Sequence, residues 1–121
     1  MRESNRDRAV QDRTATVTGA TTGTVNEGVD HVSVTSANAA HIVILPSPVV
    51  GRQVVLNVGA NGFELKTSAP ATVALNGGTG ASVSSTIAAN STVLAICVSA
   101  TAWKAIFLDA DSDVAKVEAA H

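Results

Sequence analysis

The sequence predicts an all-β protein with one domain, and three observations support that prediction. Val, Ala, Ile and Leu make up most of the hydrophobic 45% of the chain, and Thr, Ser, Asn and Gly most of the polar remainder. This mixture suits the pleated, half-buried surface of a strand. No stretch of residues 14–108 sustains a helical period. Short apolar segments instead follow one another at spacings of about 8–12 residues, as in a sandwich, a barrel or a tulip-like wrap of strands.

These segments number about eight to ten when they are counted along the chain. Residues 14–28 read as short strands broken at Gly19, Gly23 and Gly28. The predicted strands that follow are residues 29–34, 41–45, 52–58, 63–67, 72–75, 82–87, 91–99 and 103–108. No internal repeat of fixed length is visible, which argues against a regular solenoid.

The patterns inside these segments predict which side chains are buried. Segments 41–45 (HIVIL) and 91–99 (STVLAICVS) are apolar on both faces, so both faces should be buried. In segment 103–108, Trp103, Ala105 and Phe107 share one face and leave the alternate residues on the other. The single cysteine, Cys97, lies in an apolar run and is expected to be a small buried side chain.

Two connections are predicted from their turn residues. Asn61-Gly62 is expected to supply the positive φ angles of a turn. The run NGGTGAS, residues 76–82, contains glycines and hydroxyl side chains that could cradle a phosphate, but no lysine is present and no helix follows. It is therefore predicted to be a loose hairpin loop between two strands.

Charge is concentrated at the two ends of the chain. Residues 1–13 are read as a charged arm, flexible or docking, residues 14–108 as the β domain, and residues 109–121 as an acidic tail, helical or disordered. Between residues 31 and 108 the only charged side chains are Arg52, Glu64, Lys66 and Lys104. A monomer usually covers itself with more charge than this, so much of the surface is expected to face another protein.

The residues give little support to an enzyme, a metal site or a nucleic-acid site. His41 has no carboxylate or second histidine at metal-ligand spacing, and His31 should point to the opposite face of its strand from Asp30. His121 is the last residue and indicates nothing, and no serine stands out as a nucleophile. The arm's arginines alternate with acids, and no aromatic side chain stands beside them for base stacking. The apolar run 93–103 is too short to cross a membrane. No catalytic residue, cofactor, metal, small-molecule substrate, nucleic acid or membrane is therefore predicted.

Residues 41–81 and 91–109 resemble small virion proteins of tailed bacteriophages, namely the β-rich head-decoration or cement proteins and related fibre modules. The resemblance rests on Leu45-Pro46, Pro48, Gly51, Asn61-Gly62, segment 63–67, Asn76-Gly77 and Trp103. It implies a homotrimer of β-tulip or jelly-roll-like subunits that binds the major capsid protein where capsomers meet. It also implies synthesis in the host cytoplasm and a final place on the capsid surface.

A capsid decoration protein that stabilises the shell is therefore the function expected from the sequence. The alternative is a tail-fibre or baseplate β-module that takes part in adhesion. A small enzyme is disfavoured, and a lone β-sandwich binding domain of a larger cellular assembly is a further alternative. The candidates for capsid contact are Arg2, Arg6, Arg8 and Arg13. Deletion of residues 1–13 is expected to weaken capsid binding and to leave the trimer intact. The candidates for subunit packing or the core are His41, Val43, Leu45, Val93, Ile96, Trp103 and Phe107.

Overall fold

The protein is built from strands arranged in two mixed sheets, and a computed structural model describes residues 10–15, 23–111 and 113–121. No α-helix occurs in these ranges, so the predicted all-β class is confirmed. The strands are β1 (Val10–Thr14), β2 (His31–Thr35), β3 (Ile42–Ile44), β4 (Gln53–Val58), β5 (Phe63–Lys66), β6 (Ala74–Leu75), β7 (Ser85–Ile87), β8 (Thr92–Ser99), β9 (Ala102–Leu108) and β10 (Val114–Lys116).

The chain changes sheet at every step from β2 to β8. The larger sheet has the order β1-β2-β4-β8-β9-β10, with β6 also paired to β9, and the smaller sheet has the order β3-β5-β7. Because β1, β2 and β4 run parallel, and β3 and β5 also run parallel, the first half of the chain winds as a coil between the two sheets.

The turns of this coil differ in length, which explains why no fixed repeat is visible in the sequence. Residues 10, 31 and 55 align across the larger sheet, so successive turns contain 21 and 24 residues. Residues 24, 44 and 66 align across the smaller sheet, where the turns contain 20 and 22 residues. A coiled path therefore exists despite the absence of a regular period.

The core lies between the two sheets and is filled by alternate residues of the strands. Phe63 and Leu65 of the smaller sheet and Leu56 and Trp103 of the larger sheet are fully buried. The predicted alternation of β9 is confirmed, because Trp103 and Ala105 face the core while Lys104, Ile106 and Leu108 are exposed. Cys97 is also buried, as predicted.

Both ends of the chain extend the larger sheet beyond the predicted limits of the β domain. At the start, β1 occupies residues 10–14, most of which the sequence assigns to the arm; residues 1–9 lie outside the described ranges. At the end, residues 114–116 form β10, and Val117 and Ala120 are buried. The expectation of a helical or disordered tail is therefore wrong for residues 113–121.

The loop NGGTGAS is a tight turn that leads from one sheet to the other, so its prediction as a loose hairpin loop is wrong. Leu75 and Gly78 exchange two backbone hydrogen bonds of 3.1 Å across Asn76 and Gly77. The φ angles of these two central residues are 50° and 91°, as a type I′ turn requires. The chain then continues into β7 of the smaller sheet, because β6 and β7 belong to different sheets.

Asn61-Gly62 allows a close contact between two chain segments and does not supply the positive φ angles that the sequence predicts for it. Neither residue is among the described residues with positive φ. A Cβ on Gly62 would lie 2.2 Å from the carbonyl oxygen of Ile87, so glycine is needed here for a close approach of two chain segments. The Asn61 side chain donates a hydrogen bond of 2.8 Å to the carbonyl of Ser36.

Candidate interaction surface

The side of the larger sheet that is turned away from the core is apolar across its centre, and we call it the outer face. Its apolar members are Val55, Leu94, Ile96, Ile106, Leu108 and Val114. Ile106, Leu108 and Val114 are exposed by 47%, 41% and 70%. These values matter because β-branched and leucine side chains of this size are normally placed inside a protein.

Strand register aligns these side chains in rows. Val55, Leu94 and Ile106 lie side by side on β4, β8 and β9, and this row ends at Lys116 on β10. A second row runs through Asn57, Thr92, Leu108 and Val114, and a third through Gln53, Ile96 and Lys104. The register therefore makes one continuous apolar surface out of residues that are widely separated in the sequence.

Two shallow depressions lie on either side of the Leu94–Ile106 pair. One has a volume of about 260 Å³ and is bordered by Ile96, Lys104 and Asn76 as well as this pair. The other has a volume of about 240 Å³ and is bordered by Val55, Thr92 and Leu108 as well as this pair. Depressions lined in this way suit apolar side chains of a partner more than a polar small molecule.

The predicted core and subunit-packing candidates fall into two groups. Val43, Leu45, Val93 and Trp103 are fully buried in the core, and Phe107 packs against it. Ile96 alone among them lies on the outer face, and His41 is half-buried before β3 with a buried Nδ1 atom that has no hydrogen-bond partner. Leu94, Ile106 and Leu108 were not among the candidates predicted from the sequence, although Ile106 and Leu108 alternate with core residues in β9.

Among the capsid-contact candidates, only Arg13 lies in the described ranges. Its guanidinium donates hydrogen bonds to the carbonyls of Asp12, at 2.8 Å, and Thr24, at 3.3 Å. Arg13 thus joins β1 to the first turn of the coil. Arg2, Arg6 and Arg8 lie outside the described residues.

A second exposed apolar group lies beyond the start of β4. Val49 and Val50 are exposed by 51% and 65%, and Val98, the next-to-last residue of β8, by 46%. The amide of Gly51 donates a hydrogen bond of 2.9 Å to the carbonyl of Cys97, which holds the chain before β4 against the end of β8. We call these three valines the valine tip.

Glu27 and Arg52 form a clamp at the base of the valine tip. Glu27 accepts hydrogen bonds from the amide of Ser47, at 2.8 Å, and from Nη1 of Arg52, at 2.5 Å. Arg52 also donates to the carbonyl of Ser47 at 2.7 Å. The pKa of Glu27 is lowered from its ordinary value, first by the Ser47 amide and then by Arg52.

Replacement of Glu27 by glutamine is expected to lower stability slightly at neutral pH, by less than about 1 kcal/mol because the pair is exposed. A carboxyl group whose folded pKa is lowered stabilises the fold above its unfolded pKa, and this stabilisation is lost as the pH falls through the folded pKa. The stability difference between wild type and Glu27→Gln should therefore shrink below the ordinary carboxyl range. Thermal unfolding across acidic and neutral pH measures it, and a constant difference would contradict the role of the ionised group.

The described residues provide no grouped metal ligands and no membrane-spanning helix. No set of three or more His, Cys, Asp or Glu side chains is arranged to hold a metal ion in these ranges. No helix in the same ranges is long and apolar enough to cross a membrane. The outer face is therefore the candidate site with the most structural support.

Comparisons of this chain with family models, curated proteins and solved structures found no match.

Proposed function

We propose that this protein is a structural component of a bacteriophage particle, a decoration or cement protein that binds the outside of the head and stabilises the shell. The observation that supports this proposal best is the outer face, where Leu94, Ile106 and Leu108 present a continuous apolar surface to solvent. Apolar surfaces of this extent are typical of proteins that work inside an assembly. Many repeated contacts of modest strength would then hold the subunits firmly on a shell.

The finer description of the fold belongs to the same proposal. Two sheets around one core support a sandwich of the tulip type. The parallel pairs β1–β2–β4 and β3–β5 are a departure from the antiparallel strands of a jelly roll. The trimer is implied by the sequence resemblance alone, and the mass of the free protein tests that number. A free protein of two chains would replace the trimer and leave the decoration role open.

The copy number in purified particles of the source tests this function. A decoration protein should be present in hundreds of copies and should leave the head when the particles are stripped of their outer proteins. Adding the purified protein back should raise the temperature at which the shells open. A few copies per particle, recovered with the tail, would support the fibre or baseplate alternative and overturn the proposed function.

The arm can be tested without disturbing the sheet, because β1 begins at Val10. Deletion of residues 1–9 should leave the fold and the oligomeric mass unchanged and weaken attachment to stripped heads by about tenfold or more, since charged contacts at protein surfaces add up. The measurement is the amount of protein that sediments with the heads. A deletion variant with unchanged occupancy would contradict the docking role of Arg2, Arg6 and Arg8.

A further inference from the structure

The outer face carries opposite charges at its two ends. Lys104 stands at one end of β9, in the row of Gln53 and Ile96. The turn after β9 carries Asp109, Asp111 and Asp113 at the other end. Oδ1 of Asp109 accepts hydrogen bonds from the amides of Asp111 and Asp113, at 2.9 and 3.0 Å, which fixes the turn beside the face. The apolar rows lie between these charges. Lys116 stands at the β10 end of the Leu94–Ile106 row, with its ammonium 3.9 Å from a carboxylate oxygen of Glu118.

The outer face offers an area of the order that a contact between proteins uses. It spans β2, β4, β8, β9 and β10, which contain five, six, eight, seven and three residues. With strands about 4.8 Å apart and a rise of about 3.4 Å per residue, these lengths give a projected area of about 470 Å². This is more than half of the roughly 800 Å² that each partner buries in a standard interface.

We propose that a second copy of this chain covers the outer face, with its strands antiparallel to those of the first copy. The two-fold axis lies in the plane of the interface and crosses the strands near Leu94 and Ile106. This axis places Lys104 of each copy opposite the acidic turn of its partner. The two sheets pack face to face, and side chains on either side of the axis enter the depressions beside the Leu94–Ile106 pair.

The charge pattern favours this arrangement over three copies around an axis that runs along the strands. A three-fold axis of that kind would bring three acidic turns to the same level and three copies of Lys104 to another. Like charges at one level repel each other, whereas the two-fold arrangement pairs Lys104 with the acidic turn. Lys116 comes to lie near its own symmetry copy at the axis, where Glu118 partly offsets its charge. In a two-fold contact both copies use the same patch. A face that is positively charged at one end and negatively charged at the other is therefore complementary to a second copy turned end for end.

The oligomeric mass tests the proposal directly. Sedimentation equilibrium should give twice the chain mass for the wild type. Ile106→Lys should weaken association by about 100-fold or more, because it places a charge at the centre of an apolar contact. The matched control is Thr86→Lys, which adds the same charge to an exposed position on β7 of the smaller sheet and should leave the mass unchanged.

Fluorescence of the buried Trp103 should show that both lysine variants are folded. A monomeric wild type, a wild type of three chains, or an Ile106→Lys variant that associates as strongly as the wild type would each overturn the proposal.

A charge reversal tests the orientation of the two copies. Lys104→Glu and Asp111→Lys should each weaken association by about tenfold, since each change affects two symmetric contacts. The double variant Lys104→Glu with Asp111→Lys should recover most of the wild-type affinity, because it restores opposite charges across the axis. If the affinity of the double variant were lowered by the product of the two single-variant losses, the antiparallel arrangement would be overturned.

These results separate the inference from the proposed function. The mass measurements use the purified protein alone and do not depend on a phage head. If the protein has a mass of two chains but does not attach to stripped heads, the contact between copies is supported and the decoration role is rejected. If the protein attaches to heads but does not dimerise through the outer face, the decoration role is supported and the contact is rejected.

Discussion

Replacement of Asn76 by alanine should lower the free energy of unfolding by about 4 kcal/mol, which is a large share of the stability of a small domain. The Asn76 carboxamide occupies a gap along the edge of β9, between its partners β6 and β10. It accepts a hydrogen bond from the amide of Ala105 at 2.8 Å and donates to the carbonyls of Ala105 and Val117 at 2.9 and 2.7 Å. Alanine would leave all three groups without these partners.

The control for this effect is Asn90→Ala. Asn90 has a positive φ of 57°, close to the 50° of Asn76, but it is exposed, and none of the side-chain hydrogen bonds described for residues 10–15, 23–111 and 113–121 involves it. Its replacement should cost about 1 kcal/mol, the penalty of a left-handed conformation for an alanine. Urea unfolding followed by the fluorescence of Trp103 measures both variants. Equal losses would contradict the role of the Asn76 side chain.

Replacement of Gly78 by valine should lower the free energy of unfolding by about 3 kcal/mol and loosen the end of the chain. A Cβ at position 78 would lie within 1.9 Å of the carbonyl oxygen of Ala120 and 2.6 Å of its amide nitrogen. These are backbone atoms, so they cannot turn aside as a side chain would. The last residues must therefore move, although the amide of Ala120 donates to the carbonyl of Leu75 and Ser84 exchanges two hydrogen bonds with His121.

Hydrogen exchange should locate this damage at residues 117–121 before the rest of the protein opens. Thr79→Val places the same side chain at the next, exposed position and should change stability by no more than about 0.5 kcal/mol. A Gly78→Val variant as stable and as protected as Thr79→Val would contradict the close approach of the turn and the chain end.

The amino-acid pattern was sufficient to predict β2 to β9 and the buried side of most of them, but not β1 or β10 at the two ends of the larger sheet. β-Branched residues and turn residues predict where extended segments begin and end, and alternation predicts that Trp103 and Ala105 share the face toward the core. These properties depend on neighbours in the chain, and for that reason they can be read from one sequence. Both sides of β3 and β8 are apolar, but only alternate residues of these strands are fully buried, so the expectation of two buried faces is wrong. The second side of β8 belongs to the outer face, where no other part of the described chain covers it.

The partners of each strand could not be predicted, because pairing depends on residues far apart in the chain. The tertiary structure alone decides that Val55, Leu94 and Ile106 align in one row. It also decides that Asn76 and Gly78 receive the end of the chain, a contact between residues about forty positions apart. Glycine and asparagine indicate a turn at this point of the sequence. Glycine is required at position 78, however, because Ala120 occupies the space that a side chain would need, and the residues near Gly78 in the sequence do not predict that contact.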